Sequence, residues 1–238
     1  MAERVADGVE VLRLRPPGRL QRLTNIYLLA DEGGVTLFES GSVSMAGAIG
    51  KAADERGGIR RIVLSHAHSD HRGGASKLDA PVVCHPDERA DIEGDGGEHY
   101  FDWSRVPNPL IRAVGPGTSH RMDGGPLKVD STVAEGHEVA EFRVLHLPGH
   151  APGQIGLWRE SDRLAIVSDA VFMFDPFTVT GRPGPTRMPP APVRPDPEAA
   201  RRSIRRIAEL DPREVWIGHY GPIRGDVHAQ LERAAESP

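Results

Sequence analysis

The chain has 238 residues, with 29 Lys and Arg against 34 Asp and Glu, a net charge of −5. That mild acidity argues against a nucleic-acid partner, because phosphate binding needs concentrated positive charge, and no segment approaches the roughly 20 apolar residues of a membrane span. The single cysteine, Cys84, rules out an intramolecular disulfide and fits a reducing compartment; with no apolar signal-peptide stretch at the N-terminus, a soluble cytoplasmic protein is expected.

The 27 Gly and 21 Pro predict many turns and long loops around a compact centre. Val9–Leu14 alternates as a strand. Ile26–Ala30 and Val35–Phe38 are two more, joined by the hairpin signal Asp31-Glu32-Gly33-Gly34. Gly41–Arg56 is Ala-rich and helical, and Gly57-Gly58 ends it. The apolar run Ile62-Val63-Leu64 then feeds His66-Ala67-His68-Ser69-Asp70-His71, three imidazoles and one carboxylate within six residues. A strand ending in a turn aims these side chains into one small volume, and such donors suit zinc and similar divalent metals. Val82–Cys84 is a short strand, in which Cys84 reads as a small buried hydrophobe. Pro86-Asp87-Glu88-Arg89 starts a helix.

Residues 94–125 read as irregular. Strands follow within Val129–Leu147, then paired strands Gln154–Trp158 and Arg163–Val167. Phe177–Pro195 is a long Pro- and Arg-rich loop. Asp196 and Pro197 start a helix whose buried face is Ala200, Ile204, Ile207 and Ala208; Arg201, Arg202, Arg205 and Arg206 fall on its solvated side. Val215–Ile217 is a last strand and Gly225–Ala235 a last helix. No stretch reads as an interdomain linker, so one domain over 1–238, of α/β or α+β class, is expected.

Three further metal-capable residues each follow an apolar strand: His150 in Pro148-Gly149-His150-Ala151-Pro152-Gly153, Asp169 after Leu164–Ser168, and His219 after Val215–Gly218. The recurrence is harder to explain by chance than any one case.

This pattern resembles the metallo-β-lactamase fold superfamily. The resemblance runs from Asn25-Ile26-Tyr27-Leu28 and Leu37-Phe38-Glu39-Ser40-Gly41 through His66–Leu78, with Gly73-Gly74, to the His150 turn, Asp169 and His219. It implies a four-layer αβ/βα sandwich of two mixed sheets flanked by helices. It also implies that His66, His68 and His150 hold a first metal, that Asp70, His71 and His219 hold a second, and that Asp169 bridges them. Two zinc ions per chain are expected, with iron and manganese also compatible with these donors. A metal-bridging hydroxide would then cleave a small ester, lactone or thioester, with Asp70 shuttling a proton. Acceptors behind the ligand histidines are needed to fix their tautomers, Asp123 and Glu39 being candidates. Ser65 and Ser168 stand where the family commonly has Thr and Gly. Tyr220 follows His219 where the family often has Gly. Its phenol either donates to an oxyanion, a catalytic role, or packs over the edge of the site.

Only 19 residues follow His219, which is short for the C-terminal extension of the glyoxalase II type, and Asp169 argues against a true β-lactamase. The separation of 79 positions from His71 to His150 implies an insertion, in which Tyr100, Phe101 and Trp103 either line a substrate pocket or pin their own loop. Phe172, Phe174 and Phe177 offer a second wall, and Arg182, Arg187 and Arg194 are candidates to meet an anionic substrate. The expected partner is a small molecule, with a homodimer as the expected assembly. Competing readings are a mononuclear iron persulfide-type dioxygenase, a flavodiiron-like oxidoreductase component and a metal-binding module without catalysis.

Overall fold

The computed structural model describes residues 2–15, 23–178 and 183–237. The chain divides into two compact units, Met1–Glu98 with Val114–Val133, and His99–Ala113 with Ala134–Pro238. Each carries one mixed sheet and helices, an α/β organisation.

In the first unit, β1 (Glu3–Ala6), β2 (Val9–Leu14), β3 (Thr24–Asp31) and β4 (Gly34–Phe38) run antiparallel. β5 (Ile59–Val63), β6 (Val82–Cys84) and β7 (Ser131–Thr132) then add in parallel, giving the order β1-β2-β3-β4-β5-β6-β7. Ile26, Tyr27, Leu28 and Leu29 are all buried, so β3 reads as a continuous apolar run because both of its faces are covered. The expected hairpin is present: Asp31 pairs with Gly34 around Glu32-Gly33, and Gly33 has φ +72°.

α1 (Ala46–Asp54) buries Ala46, Ile49, Ala52 and Ala53. Gly57 and Gly58 follow it with φ of +94° and +91°, and the Gly58 N–H donates to Ala53 O at 2.9 Å, a helix stop that favours glycine. α2 (Ser69–Arg72) and α3 (Arg89–Ile92) are single turns.

The segment 94–125, read from the sequence as irregular, contains α4 (Pro109–Met122). Asn108 Oδ1 caps it, accepting from Leu110 N at 2.9 Å and Ile111 N at 3.2 Å. The helix buries none of its residues, so no apolar stripe marks it in the sequence, and Gly115-Pro116-Gly117 reads as a breaker.

In the second unit the order is β12-β11-β10-β9-β8, from β8 (Glu138–Val139), β9 (Phe142–His146), β10 (Ile155–Arg159), β11 (Leu164–Ser168) and β12 (Glu214–Ile217). Only β11 and β12 pair in parallel. α5 (Pro197–Glu209) starts where Asp196 Oδ1 accepts from Ala199 N at 2.8 Å. It buries Ala200, Ile204, Ile207 and Ala208, the face predicted for it. These pack with Leu145, Val167, Ile217 and, from α6 (Val227–Glu236), Leu231. Each fully buried Leu or Ile of this core contributes on the order of 1.5–3 kcal/mol. No helix among the described residues is long and apolar enough to cross a membrane.

Candidate metal centre

Sequence and backbone together concentrate donors at the ends of the parallel strands in the first unit. Leu64 N donates to Val83 O at 2.9 Å, and the chain then turns through His66 and His68 into α2, which carries Asp70 and His71. His66 and His71 are fully buried. His66 Nε2 lies 3.1 Å from His68 Nδ1, and His66 Nδ1 lies 2.8 Å from Ser65 Oγ. The His66 and His71 rings are 4.3 Å apart.

The turn is fastened from below. Ser40 N and Ser40 Oγ both donate to His71 O, at 2.9 and 2.7 Å, and Gly74 N donates to Gly41 O at 2.9 Å. A Cβ on Gly74 would lie 2.0 Å from Ser40 O, so the Gly73-Gly74 pair is a requirement of close approach.

Of the two candidate acceptors, Glu39 is the one beside a histidine of the motif. Its Oε1 lies 3.3 Å from His71 Nδ1, both side chains fully buried, and His71 Nε2 lies 3.8 Å from Asp70 Oδ1. Glu39, His66 and His71 each offer a donor atom within 4.8 Å of the others. Glu39 is held at φ +78°, an uncommon conformation for a residue other than glycine. Asp123 instead takes the buried guanidinium of Arg72, at 2.7 Å from Nη2 and 3.1 Å from Nε. Arg72 Nη1 also donates to Asp91 O and Ile92 O, both at 2.8 Å. Sequence reasoning missed Arg72 and also missed Glu88, whose Oε2 accepts from Ala67 N at 2.8 Å.

The second unit gathers His150, Asp169 and His219. Asp169 Oδ2 lies 3.7 Å from His150 Nε2 and 3.4 Å from His219 Nε2. His150 Nδ1 is 2.7 Å from Val193 O. A carbonyl only accepts, so Nδ1 carries the proton and Nε2 keeps its lone pair toward Asp169. Ser168 and Tyr220, flanking two of these residues, adopt φ of +47° and +64°.

Aromatic rings surround this group. Phe172 lies 5.7 Å from His150, and Phe174 lies 5.4 Å from His219 and 5.1 Å from Tyr220. Phe101 stacks on Trp103 at 4.1 Å and meets Phe177 edge-on at 5.7 Å. They pack with Val106 and Val193, with Phe177 buried and Phe101 and Trp103 partly buried. Tyr100 lies against His99 at 4.0 Å. Arg182 lies outside the described residues. Cys84 is buried, and desolvation pushes its thiol up to about 12, which agrees with an inert packing residue.

The model of the metallo-beta-lactamase superfamily matches residues 19–219. The chain belongs to that superfamily. It is 26% identical over 226 residues to the probable metallo-hydrolase YflN of Bacillus subtilis, covering 87% of this chain and 84% of that one. It is 29% identical over 121 residues to the hydroxyacylglutathione hydrolase GloC of Haemophilus influenzae, covering 48% of this chain and 50% of that one. The crystal structure of TTHA1623 in a di-iron-bound form superposes with a TM-score of 0.63 at 27% identity, over 93% of this chain and 98% of that one. The fold is therefore the metallo-β-lactamase fold, which implies divalent metal. The donors present, imidazole nitrogens and carboxylate oxygens at strand ends in both units, fit such an ion.

Proposed function

We propose that this superfamily member is a hydrolase of a small ester, lactone or thioester that works with two divalent metals, zinc first among them. His66, His68 and His150 would hold one, Asp70, His71 and His219 the other, and Asp169 would serve both. The observation that carries this reading is the position of Asp169 Oδ2 between the Nε2 atoms of His150 and His219, at 3.7 and 3.4 Å. One carboxylate oxygen lying close to two imidazole nitrogens is the arrangement a shared ligand needs. The di-iron form of TTHA1623 and the GloC relationship support two metals and an acyl substrate.

When bound, such a pair of ions supplies a water deprotonated near neutral pH and a Lewis acid for the carbonyl. The chain's own residues supply the rest. Val193 O holds His150 in one tautomer, so that this ring presents a fixed nitrogen, and the Glu39 carboxylate lies beside His71. Asp70, 28% exposed at its side chain and beside His71, takes the proton of the attacking water and returns it to the leaving group. Phe172 and Phe174 exclude water from the His150–Asp169–His219 group. The Tyr220 phenol, beside His219, donates to the substrate oxygen.

The test is metal content per chain on protein purified without chelator, joined to a screen of lactones, esters and thioesters. Two zinc per chain with turnover of one class is the expected result. One iron per chain with oxygen uptake and no hydrolysis would overturn the reading in favour of an iron dioxygenase.

A further inference from the structure

His150 and Asp169 follow two strands, β9 and β11, that are not neighbours, since β10 lies between them. One side chain joins the two segments. Gln154 stands immediately before β10 and is fully buried. Its backbone closes the loop that carries His150: Leu147 N donates to Gln154 O at 2.7 Å, and Gln154 N donates to Ala151 O at 3.4 Å. Its side chain crosses to the other strand, where Nε2 donates to Val167 O at 3.3 Å, two residues before Asp169. On its other side the same loop is held by α5, where Ser203 Oγ donates to Pro148 O at 2.7 Å. Gln154 thus ties the His150 loop to the strand that delivers Asp169, whose Oδ2 lies 3.7 Å from His150 Nε2.

The other half of this amide does nothing for the fold. Oε1 is buried and accepts from no group among the described residues. Turning the amide over would not help, because Oε1 would then face Val167 O, acceptor against acceptor. Nor does that carbonyl need Nε2, since it also accepts from Ala170 N at 3.2 Å. A buried acceptor without a donor costs free energy, whereas an apolar group of the same shape carries no such cost. Methionine would fill a similar volume. A polar group kept in a core against stability is expected where function fixes the geometry.

We propose that Gln154 is a positioning residue: it sets the spacing of His150 and Asp169, and with it the affinity for the metal they hold, and it lowers the stability of the fold in doing so. This rests on the assignment above of His150 and Asp169 as metal ligands.

The test uses the full chain and two variants, Gln154→Met and Gln154→Leu. Zinc affinity is read by competition with a chromophoric chelator, and the visible spectrum is recorded after exchange of zinc for cobalt. Urea midpoints are measured in excess chelator, so that bound metal adds nothing to stability. The expected result, in at least one variant, is a midpoint equal to or above that of wild type, with zinc affinity at one site reduced at least tenfold and an altered cobalt spectrum. A lowered midpoint in both variants would overturn the proposal, because Gln154 would then hold the fold itself. Wild-type zinc affinity in both variants would overturn it as well, whatever the midpoint or the spectrum. Failure of wild type to bind any divalent metal would remove the ligand assignment, and the proposal with it. Zinc bound and lost as expected, without turnover of any ester by wild type, would remove the hydrolase reading and leave the role of Gln154 standing.

Discussion

Glu39 Oε1 faces His71 Nδ1 at 3.3 Å, with both side chains withdrawn completely from solvent. A buried carboxylate beside an imidazole favours positive charge on the ring and so raises its basicity as a metal ligand. Glu39→Gln keeps the shape and removes the charge. The expected outcome is a 10–100-fold loss in affinity for one of two metals, read by competition with a chromophoric chelator. Unchanged affinity at both sites would show that Glu39 only fills space.

Within each unit the grouping of these donors was legible in the sequence because they are contiguous or follow apolar strands. His66, His68, Asp70 and His71 lie in one turn, and His150, Asp169 and His219 come together after β9, β11 and β12. Their partners were not legible. The acceptor for His150 is the backbone of Val193, and a carbonyl leaves no mark in a residue pattern. Arg72 looks like any arginine after a His-rich motif, and only the fold brings Asp123, 51 positions away, to its guanidinium. α4 escaped for a different reason: with nothing buried, it has no periodicity to read.

Asp169→Asn tests the proposed shared ligand directly. An amide retains one coordinating oxygen but not the charge that lets one group serve two cations. Metal content is expected to fall from about two ions per chain to about one, the number a two-metal site implies when one of its ions is lost. Elemental analysis after desalting checks it. Two ions retained at full affinity would remove Asp169 from the bridging role.

Arg72→Met addresses the guanidinium behind the motif. Its side chain is fully buried, and its loss strands Asp123, while the Asp91 and Ile92 carbonyls keep their backbone donors Gly96 N and Leu127 N. Breaking a buried pair from one side costs about 3–5 kcal/mol, and the urea midpoint should fall accordingly. A drop below about 1 kcal/mol, the range of exposed pairs, would mean that water replaces the lost contacts.

Gly149→Ala combines two obstacles. The residue has φ +135°, and an added Cβ would lie 2.3–2.4 Å from Ala200 N and Cα. Since α5 cannot yield without moving its buried face, the expected cost is about 3 kcal/mol from strain and overpacking. The His150 turn should shift with it, so metal affinity should fall along with the unfolding midpoint. Full stability in the alanine variant would show that the helix start is free to move away.

Asp162 makes stability depend on pH in a defined direction. Arg159 holds it by two bonds at the β10–β11 turn, Nε to Oδ1 at 3.0 Å and Nη2 to Oδ2 at 2.8 Å, while the guanidinium carbon lies 4.8 Å from the centre of the Phe142 ring. The Arg159 hydrogen bonds, followed by partial burial acting against them, leave the Asp162 pKa below 3.8. A carboxyl depressed in the folded state binds its proton more tightly when unfolded, so its contribution is full above the unfolded value of about 3.9 and disappears as pH falls through the lower folded value. Asp162→Asn should therefore cost about 1–2 kcal/mol at every pH from about 5 to 8, and the gap to wild type should narrow as pH falls below the unfolded value of about 3.9. Urea unfolding across that range measures it, and a gap that persisted undiminished into acid would mean that the amide loses packing rather than charge.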